Sequence, residues 1–306
     1  MTEPFRYAAF DLDGTLLDAN GDALPGLTAG LTRLRDLGLV SILITGRSLA
    51  SLRAASLDEE LLALLEPQVL ISDGDAVFDR RCGSFRQTCA LPEGLGSHLL
   101  EKGFEDIVVE AGGDYYASSR RAALVLAMAY RLPRAVVSIG PPDQIGIPLG
   151  RAVVLAEHCR VRAALDGFRC VTRRLTAFGA TLIHPEGTGK SGSLAAHLFA
   201  EFGEQGLERT IAFGDGPNDA GLLAACRIGI AMREGAAAAV AAADLHLTES
   251  LGEFLQGLAP QRLIAAVPAD RTETTDSCVR QLPRHLDRPT GTRSSPFVGQ
   301  ARDERP

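Results

Sequence analysis

The chain has 306 residues, which exceeds the usual size of one compact domain and predicts two domains or one domain with an insertion. Its hydrophobic fraction of 46% is enough for a buried core, and its formal net charge of −7 argues against a nucleic-acid-binding surface. No apolar run approaches the ~20 residues of a membrane span, and the N-terminus lacks a signal-peptide pattern. The six cysteines lack the close spacing of a zinc site, so we predict reduced thiols in a cytoplasmic protein.

Short apolar runs alternate with helical patterns along most of the chain. The predicted strands are residues 7–10, 40–44, 68–71, 210–213, 228–231 and, more weakly, 245–248. The predicted helices are residues 27–37, 48–65, 193–202, 219–225 and an Ala-rich stretch at 235–243. This alternation predicts an α/β fold, a doubly wound parallel sheet covered by helices on both faces. In such sheets, functional residues collect at the carboxyl ends of the strands.

The middle of the chain has a different pattern. Residues 106–118 predict a hairpin with a Gly-containing turn, and strands at 151–156, 169–174 and 180–183 flank a helix at 159–166. We therefore predict an inserted α+β domain at 84–183, between two parts of a core formed by residues 1–83 and 184–262. The insertion carries 12 Lys and Arg against 9 Asp and Glu, a mildly basic lid that suits an anionic substrate. Residues 263–306 lack periodicity and are predicted to be a disordered tail.

Two carboxylates follow the first predicted strand, in the segment Asp11-Leu-Asp13-Gly14-Thr15. At the edge of a sheet, one acid can act as nucleophile and metal ligand while the other donates and accepts protons. Gly14 lets the backbone turn sharply beside them. Alone, such a pair is also common in a turn or helix cap. A calcium loop is excluded because its glycine stands sixth, whereas Gly14 is fourth.

Two further polar segments suit a phosphate. Thr45-Gly46-Arg47 ends the second predicted strand, where a hydroxyl and backbone N–H groups can bind phosphoryl oxygens. Lys190 precedes a helix N-terminus, whose dipole has the same sign as the lysine charge. The segment around Lys190 also resembles the end of a nucleotide-binding P-loop, but that pattern requires glycine at the position of His184. Alone, either segment is typical of an ordinary turn.

The fourth polar segment, residues 214–219, follows the strand at 210–213. Asp215 and Asp219 bracket its turn, and Asn218 can orient either of them. Oxygen ligands without His or Cys favour magnesium, although such a run is also typical of any loop. Together the four segments supply an acid pair, a hydroxyl, a cation and metal ligands beside predicted strands. The set therefore predicts a phosphoryl-transfer site.

These four segments resemble the motifs of the haloacid dehalogenase (HAD) superfamily, over about residues 7 to 258. The resemblance implies a Rossmann-like HAD core. The insertion is similar to the type II α/β cap of the Cof-like sugar-phosphate phosphatases. Two segments depart from that group's pattern: Asp73-Gly74-Asp75 stands where Asn-Gly-Ala is usual, and Arg233-Glu-Gly follows Met232 where Gly-Asn-Ala is usual.

The resemblance implies a Mg²⁺-dependent phosphatase for a small phosphorylated metabolite, such as a sugar phosphate. Asp11 would attack phosphorus and form an aspartyl-phosphate, and Asp13 would act first as general acid and then as general base. Asp13 would also offer its backbone carbonyl to the metal. The implied residues are Asp11, Asp13, Thr45 and Lys190 for catalysis; Thr45, Gly46, Lys190 and Asn218 for phosphate; and Asp11, Asp13, Asp215 and Asp219 for the metal.

Two alternatives stay open beside the phosphatase. A phosphomutase of the same superfamily would return the phosphoryl group to the sugar rather than to water. A non-catalytic metabolite-binding protein is disfavoured by the intact pair of Asp11 and Asp13. Within the superfamily, the members that cleave carbon–halogen bonds lack the second Asp, so the presence of Asp13 disfavours a dehalogenase.

Overall fold

A computed structural model describes residues 4–55, 57–130, 132–133, 136–187 and 189–259. The strands, in chain order, are β1 (Tyr7–Phe10), β2 (Val40–Leu43), β3 (Gln68–Ile71), β4 (Ala76–Asp79), β5 (Ser84–Gln87), β6 (Ile107–Ala111), β7 (Asp114–Ala117), β8 (Val137–Ile139), β9 (Leu149–Val154), β10 (Cys170–Leu175), β11 (Ala180–Pro185), β12 (Thr210–Gly214), β13 (Ile228–Ala231) and β14 (Leu245–His246). The α-helices are α1 (Leu27–Asp36), α2 (Leu49–Arg53), α3 (Glu59–Leu62), α4 (Leu95–Glu101), α5 (Arg120–Ala129), α6 (His158–Ala164), α7 (Lys190–Phe202), α8 (Ala220–Ala225), α9 (Ala237–Ala242) and α10 (Leu251–Gln256).

The predicted parallel sheet is confirmed, with the strand order β14-β13-β12-β1-β2. The residues of β1, β12 and β13 are all buried, as expected for strands that are covered on both faces. Helices α1 and α10 pack on one face, and helices α7, α8 and α9 pack on the other. Phe10 and Phe213 stack on neighbouring strands with their ring centroids 4.7 Å apart. The sheet is therefore doubly wound, with a hydrophobic core on each of its two faces.

The prediction of one helix over residues 48–65 was wrong, because the structure has two short helices there, α2 and α3. Each helix has its own N-cap: the Ser48 side chain accepts from the Ser51 N–H, and the Asp58 side chain accepts from the Glu60 N–H. Such caps satisfy backbone donors that a helix leaves unpaired at its start. The N-cap at Asp58 thus begins a second helix, although the apolar pattern in the sequence continues across it.

A three-stranded antiparallel sheet, β3-β4-β5, continues from the edge of the parallel sheet. It is joined there by a parallel bridge between Ile44 and Leu70 and by a hydrogen bond of 2.8 Å from the Thr45 N–H to the Leu70 carbonyl. This junction places the end of β3 beside the end of β2.

The inserted segment forms a six-stranded sheet with the order β10-β11-β9-β6-β7-β8, called the cap sheet below. The predicted hairpin is confirmed by the antiparallel pair β6 and β7. One face of the cap sheet packs on α4 and α6. The other face packs on α5 and, through Ala50 of α2, on the core. The Ala50 N–H donates to the Gly113 carbonyl at the tip of the hairpin, at 3.0 Å.

The predicted domain boundaries at 83/84 and 183/184 remain predictions. Strand β5 pairs with β4, and β11 continues to Pro185. The predicted tail at 263–306 lies outside the described residues. In the described part of the chain, the cysteines at 82, 89, 159 and 170 are free thiols, and none of the helices is long and apolar enough to cross a membrane.

The close packing of α10 on α1 depends on Gly252. A Cβ at this position would overlap the carbonyl oxygen of Pro25, a backbone atom that cannot move independently. We expect Gly252→Ala to lower the free energy of unfolding by about 1–3 kcal/mol, the usual cost of overpacking. The matched control is Gly221→Ala in α8, where no atom lies within 4 Å of the new Cβ.

Because alanine has the better helix propensity, Gly221→Ala should raise the free energy of unfolding by roughly 0.5–1 kcal/mol. Urea denaturation followed by circular dichroism measures both effects. A shift of the same sign in the two variants would contradict the proposed contact between α10 and the start of α1.

Candidate active site

The site lies at the carboxyl edge of the parallel sheet, where three adjacent strands end. Asp11 follows β1, Thr45 follows β2, and Asp215 follows β12. Because β12, β1 and β2 are neighbours in the sheet, their ends bring these residues to one place. Lys190 is the first residue of α7 and is buried beneath them.

Lys190 connects two of the predicted carboxylates. Its Nζ atom donates to Asp11 Oδ1 at 2.5 Å and to Asp219 Oδ1 at 2.6 Å. Burial favours the neutral lysine, but the neighbouring carboxylates outweigh burial and raise the pKa of Lys190 above its usual value. The ammonium group is therefore fixed in the charged form between Asp11 and Asp219.

Asp11, Asp215 and Asp219 form an acidic cluster in which one oxygen of each carboxylate lies within 4.8 Å of the others. Burial raises the pKa of Asp11 to about 8, with Lys190 opposing the rise and Asp219 adding to it. Burial and Asp219 likewise raise the pKa of Asp215. Once all three carboxyl groups are ionised, they outnumber the single ammonium group, and the cluster then carries excess negative charge. Its donor set, oxygen atoms without nitrogen or sulfur, fits a hard divalent cation such as Mg²⁺.

Two backbone features shape this cluster. The Oδ2 atom of Asp219 accepts from the N–H groups of Asp215 and Gly216, at 3.1 and 2.8 Å, which fixes the turn carrying Asp215. Gly14 has a φ of +75°, and a Cβ there would overlap the Asp215 carboxylate. Glycine is thus required at position 14 for its φ and for the close approach of Asp215.

The second acid of the predicted pair lies apart from the acidic cluster. Arg47 binds the Asp13 carboxylate with two hydrogen bonds, from Nε to Oδ2 at 2.8 Å and from Nη2 to Oδ1 at 2.6 Å. The Asp13 side chain is 53% exposed, so it is open to solvent. This arrangement can present a carboxyl group to a ligand above Asp11. The role of Arg47 in orienting Asp13 was not predicted from the sequence.

The predicted phosphate ligands are held around the end of β2. Thr45 Oγ1 accepts from the Arg47 N–H at 3.1 Å, which leaves the hydroxyl proton available to a ligand. Asn218 Nδ2 donates to Asp73 Oδ1 at 2.9 Å. A Cβ on Gly46 would lie 3.2 Å from Asp73 Oδ1 and 3.6 Å from Asn218 Nδ2, so both side chains lie against Gly46.

Sequence reasoning noted Asp73 only as a departure from the family pattern and missed its place in the site. Burial favours the neutral carboxyl, but Arg151 and Lys190 outweigh burial and lower the pKa of Asp73. Arg151 and its partner Glu110 were also missed. A signal was present, since each is a charged residue within an apolar strand, β9 and β6. Such residues are rarely buried unless they are paired.

Comparisons with known proteins bear on the family and the fold. A family model described as haloacid dehalogenase-like hydrolase matches residues 8–83 and 179–252. A search of curated protein sequences gave no significant match.

Many solved structures have the same fold. A phosphatase of the haloalkanoate (HAD) enzyme superfamily from Bacteroides thetaiotaomicron is 20% identical, with a TM-score of 0.67 over 86% of this chain and 95% of that chain. A HAD subclass IIB sugar phosphatase is 18% identical, with a TM-score of 0.65 over 86% of this chain and 100% of that chain. A haloacid dehalogenase-like hydrolase from B. subtilis is 16% identical, with a TM-score of 0.64 over 83% of this chain and 100% of that chain.

The fit of a divalent cation to the acidic cluster can be tested at Gly14. We expect Gly14→Ala to weaken Mg²⁺ binding roughly 10- to 100-fold, because the new Cβ displaces the Asp215 carboxylate. The matched control is Gly21→Ala, which also forces a side chain onto a positive φ, of +90°, but has no atom within 4 Å. Isothermal titration with Mg²⁺ measures both affinities. Equal affinity in the two variants would contradict the placement of the cation beside Asp215.

Proposed function

We propose that this chain, which matches a haloacid dehalogenase-like hydrolase family model over residues 8–83 and 179–252, is a Mg²⁺-dependent phosphatase that hydrolyses a small phosphorylated metabolite through a covalent intermediate on Asp11. The observation that carries the proposal is the buried contact of Lys190 with Asp11 and Asp219, beside Asp215. A nucleophilic carboxylate, a fixed cation and a cluster of oxygen ligands meet there at the edge of the sheet. These are the groups that phosphoryl transfer requires.

In the first proposed step, a carboxylate oxygen of Asp11 attacks phosphorus. The O–P bond to Asp11 forms while the bond between phosphorus and the leaving oxygen breaks. Asp13, oriented by Arg47, gives its proton to the leaving oxygen, so that the product departs as an alcohol. The exposure of Asp13 to solvent suits this role, because in an in-line reaction the leaving group lies on the side of phosphorus opposite Asp11.

In the second proposed step, Asp13 takes a proton from water as the water oxygen attacks phosphorus. The O–P bond to Asp11 breaks, inorganic phosphate leaves, and both carboxyl groups return to their starting states. Asp13 can act in both steps because its carboxyl group is fixed in place but solvent-accessible. Transfer to water rather than to a second hydroxyl distinguishes this reaction from that of a phosphomutase.

The proposed metal ligands are the carboxylates of Asp11 and Asp215, with the backbone carbonyl of Asp13. Asp219 supports them by holding the Asp215 turn and Lys190. When bound, Mg²⁺ would neutralise the charge on the phosphoryl oxygens and favour the ionised form of Asp11.

The proposed phosphate ligands are the Thr45 hydroxyl, the Gly46 N–H, Lys190 and the Asn218 amide. Lys190 contributes a buried positive charge, whereas Thr45 and Gly46 contribute hydrogen-bond donors at the end of β2. Asn218 lies against Gly46 and so extends the same set of donors. A sugar phosphate is the proposed substrate class, supported by the similarity of the fold to the subclass IIB sugar phosphatase. A cytoplasmic location remains part of the proposal.

The nucleophile is tested with Asp11→Asn. We expect release of inorganic phosphate from a panel of phosphomonoesters with Mg²⁺ to fall at least about 10³-fold, because an amide cannot form the intermediate. Asp36→Asn makes the same chemical change at the exposed end of α1 and should retain full activity. Undiminished phosphate release in Asp11→Asn would rule out the proposed nucleophile. Isomerisation of a sugar phosphate without continuous phosphate release would instead identify a phosphomutase.

The role of Asp13 is tested by leaving-group dependence. We expect Asp13→Asn to lower kcat/KM for an alkyl phosphate by roughly 10²- to 10⁴-fold, the usual contribution of a general acid. The loss should be much smaller for p-nitrophenyl phosphate, because nitrophenolate leaves without a proton. Steady-state kinetics with the two substrates on the same preparation make this comparison. An equal loss for both substrates would contradict the assignment of Asp13 as the acid.

A further inference from the structure

A buried ion pair in the cap sheet faces the candidate active site. Arg151 of β9 donates from Nε and Nη2 to Glu110 Oε2 of β6, at 3.1 and 3.0 Å. Both side chains are almost fully buried and lie on the face of the cap sheet that is turned toward α5 and the core. Nothing in the proposed chemistry uses either residue. Buried ion pairs are costly to form, so their contacts with other groups indicate what they are for.

Arg151 also binds the core directly. Its Nη2 atom donates to the carbonyl oxygen of Gly46 at 3.0 Å. That carbonyl belongs to the same peptide unit as the Arg47 N–H, which donates to Thr45 Oγ1 at 3.1 Å. A trans peptide points these two groups in opposite directions. Arg151 therefore holds one side of a peptide whose other side orients the Thr45 hydroxyl.

Glu110 and Arg151 hold a second core segment, Ser72–Asp73. Ser72 and Asp73 each have a φ of +57°, a left-handed conformation that residues other than glycine rarely adopt. Ser72 Oγ donates to Glu110 Oε1 at 2.5 Å, and Arg151 Nη1 lies 3.5 Å from Asp73 Oδ2. This strained turn therefore depends on partners that come from the cap sheet.

The two core segments are also bonded to each other. The Ser72 N–H donates to the Arg47 carbonyl at 2.7 Å, and the Asp73 N–H donates to the Thr45 carbonyl at 2.9 Å. The strained turn at 72–73 and the segment 45–47 are thus one unit, which we call the phosphate loop pair. The Arg151–Glu110 ion pair touches both of its members.

We propose that Arg151, fixed by Glu110, is a positioning residue of the cap that holds the phosphate loop pair in the geometry required to bind the phosphoryl group. This role rests on the proposed phosphatase function. Arg151 acts through the Gly46–Arg47 peptide and through Asp73, which in turn accepts from Asn218. Contact of the cap with the core then completes the phosphate site, because the ion pair that fixes the loops is carried by the cap sheet. Lysine cannot replace Arg151 fully, since it lacks the fork of donors that binds Glu110 and Gly46 together.

The test compares four forms of the full-length protein: wild type, Arg151→Ala, the double variant Arg151→Met/Glu110→Gln, and Arg174→Ala. The double variant removes both charges of the ion pair, so Glu110 is not left as an unpaired buried ion, and Asp73 keeps its hydrogen bond from Asn218. We therefore expect it to fold even where Arg151→Ala does not. Arg174 is an exposed arginine of β10 and serves as the matched control. Thermal unfolding verifies that each form is folded.

Two readouts are measured on each folded form. The first is kcat and KM for p-nitrophenyl phosphate with Mg²⁺. We expect kcat to fall roughly 10- to 100-fold in both Arg151 variants, the usual effect of removing a residue that orients the ligand-binding residues. Added methylguanidinium should partly restore kcat in Arg151→Ala. The second is amide hydrogen exchange, which should accelerate in peptides covering 45–47 and 72–73 and remain unchanged elsewhere in the core.

Each outcome has a defined meaning. Slower turnover with local acceleration of exchange, absent in Arg174→Ala, supports the proposal. If the wild type is active and neither turnover nor exchange changes in the two Arg151 variants, the positioning role is overturned and the phosphatase function is left intact. An inactive wild type overturns the phosphatase function, and exchange alone then decides whether Arg151 holds the loops. Unchanged exchange overturns the proposal in either case.

Discussion

The site depends on the buried contact of one ammonium group with two carboxylates, Lys190 with Asp11 and Asp219. Removing one partner from such a group leaves an uncompensated buried charge, which typically costs about 3–5 kcal/mol. The rest of the site is arranged around this constraint. Asp219 holds the turn that carries Asp215, and Gly14 lets the chain pass close to it. The remaining negative charge is what makes a divalent cation a fitting ligand.

The parallel sheet and the cap sheet contribute different parts of the proposed chemistry. The parallel sheet supplies the reacting and charge-bearing groups, because the ends of β12, β1 and β2 meet at one edge. The cap sheet supplies the buried Arg151–Glu110 pair, which contacts core residues in conformations that cost about 1–3 kcal/mol each when they are unsupported. In this view the core carries the chemistry and the cap fixes the loops that bind phosphate.

Much of the core and its acids could be predicted from the sequence, because these features are local. Apolar runs followed by polar turns identify the strands, and the polar turns contain Asp11, Thr45 and Asp215. The contacts of Arg151 and Glu110 could not be predicted, since the residues that they join lie 38 to 105 positions apart in the chain and meet only through the strand order. The break between α2 and α3 was missed because the apolar pattern runs through a second N-cap.

The covalent role of Asp11 is tested most directly by trapping the intermediate. Rapid acid quenching during turnover, followed by borohydride reduction, converts an aspartyl-phosphate to homoserine, which peptide mass spectrometry can locate. The mechanism predicts homoserine at position 11, formed only when both Mg²⁺ and a phosphomonoester are present. Modification at another residue, or continued turnover with no modification at Asp11, would contradict the central claim.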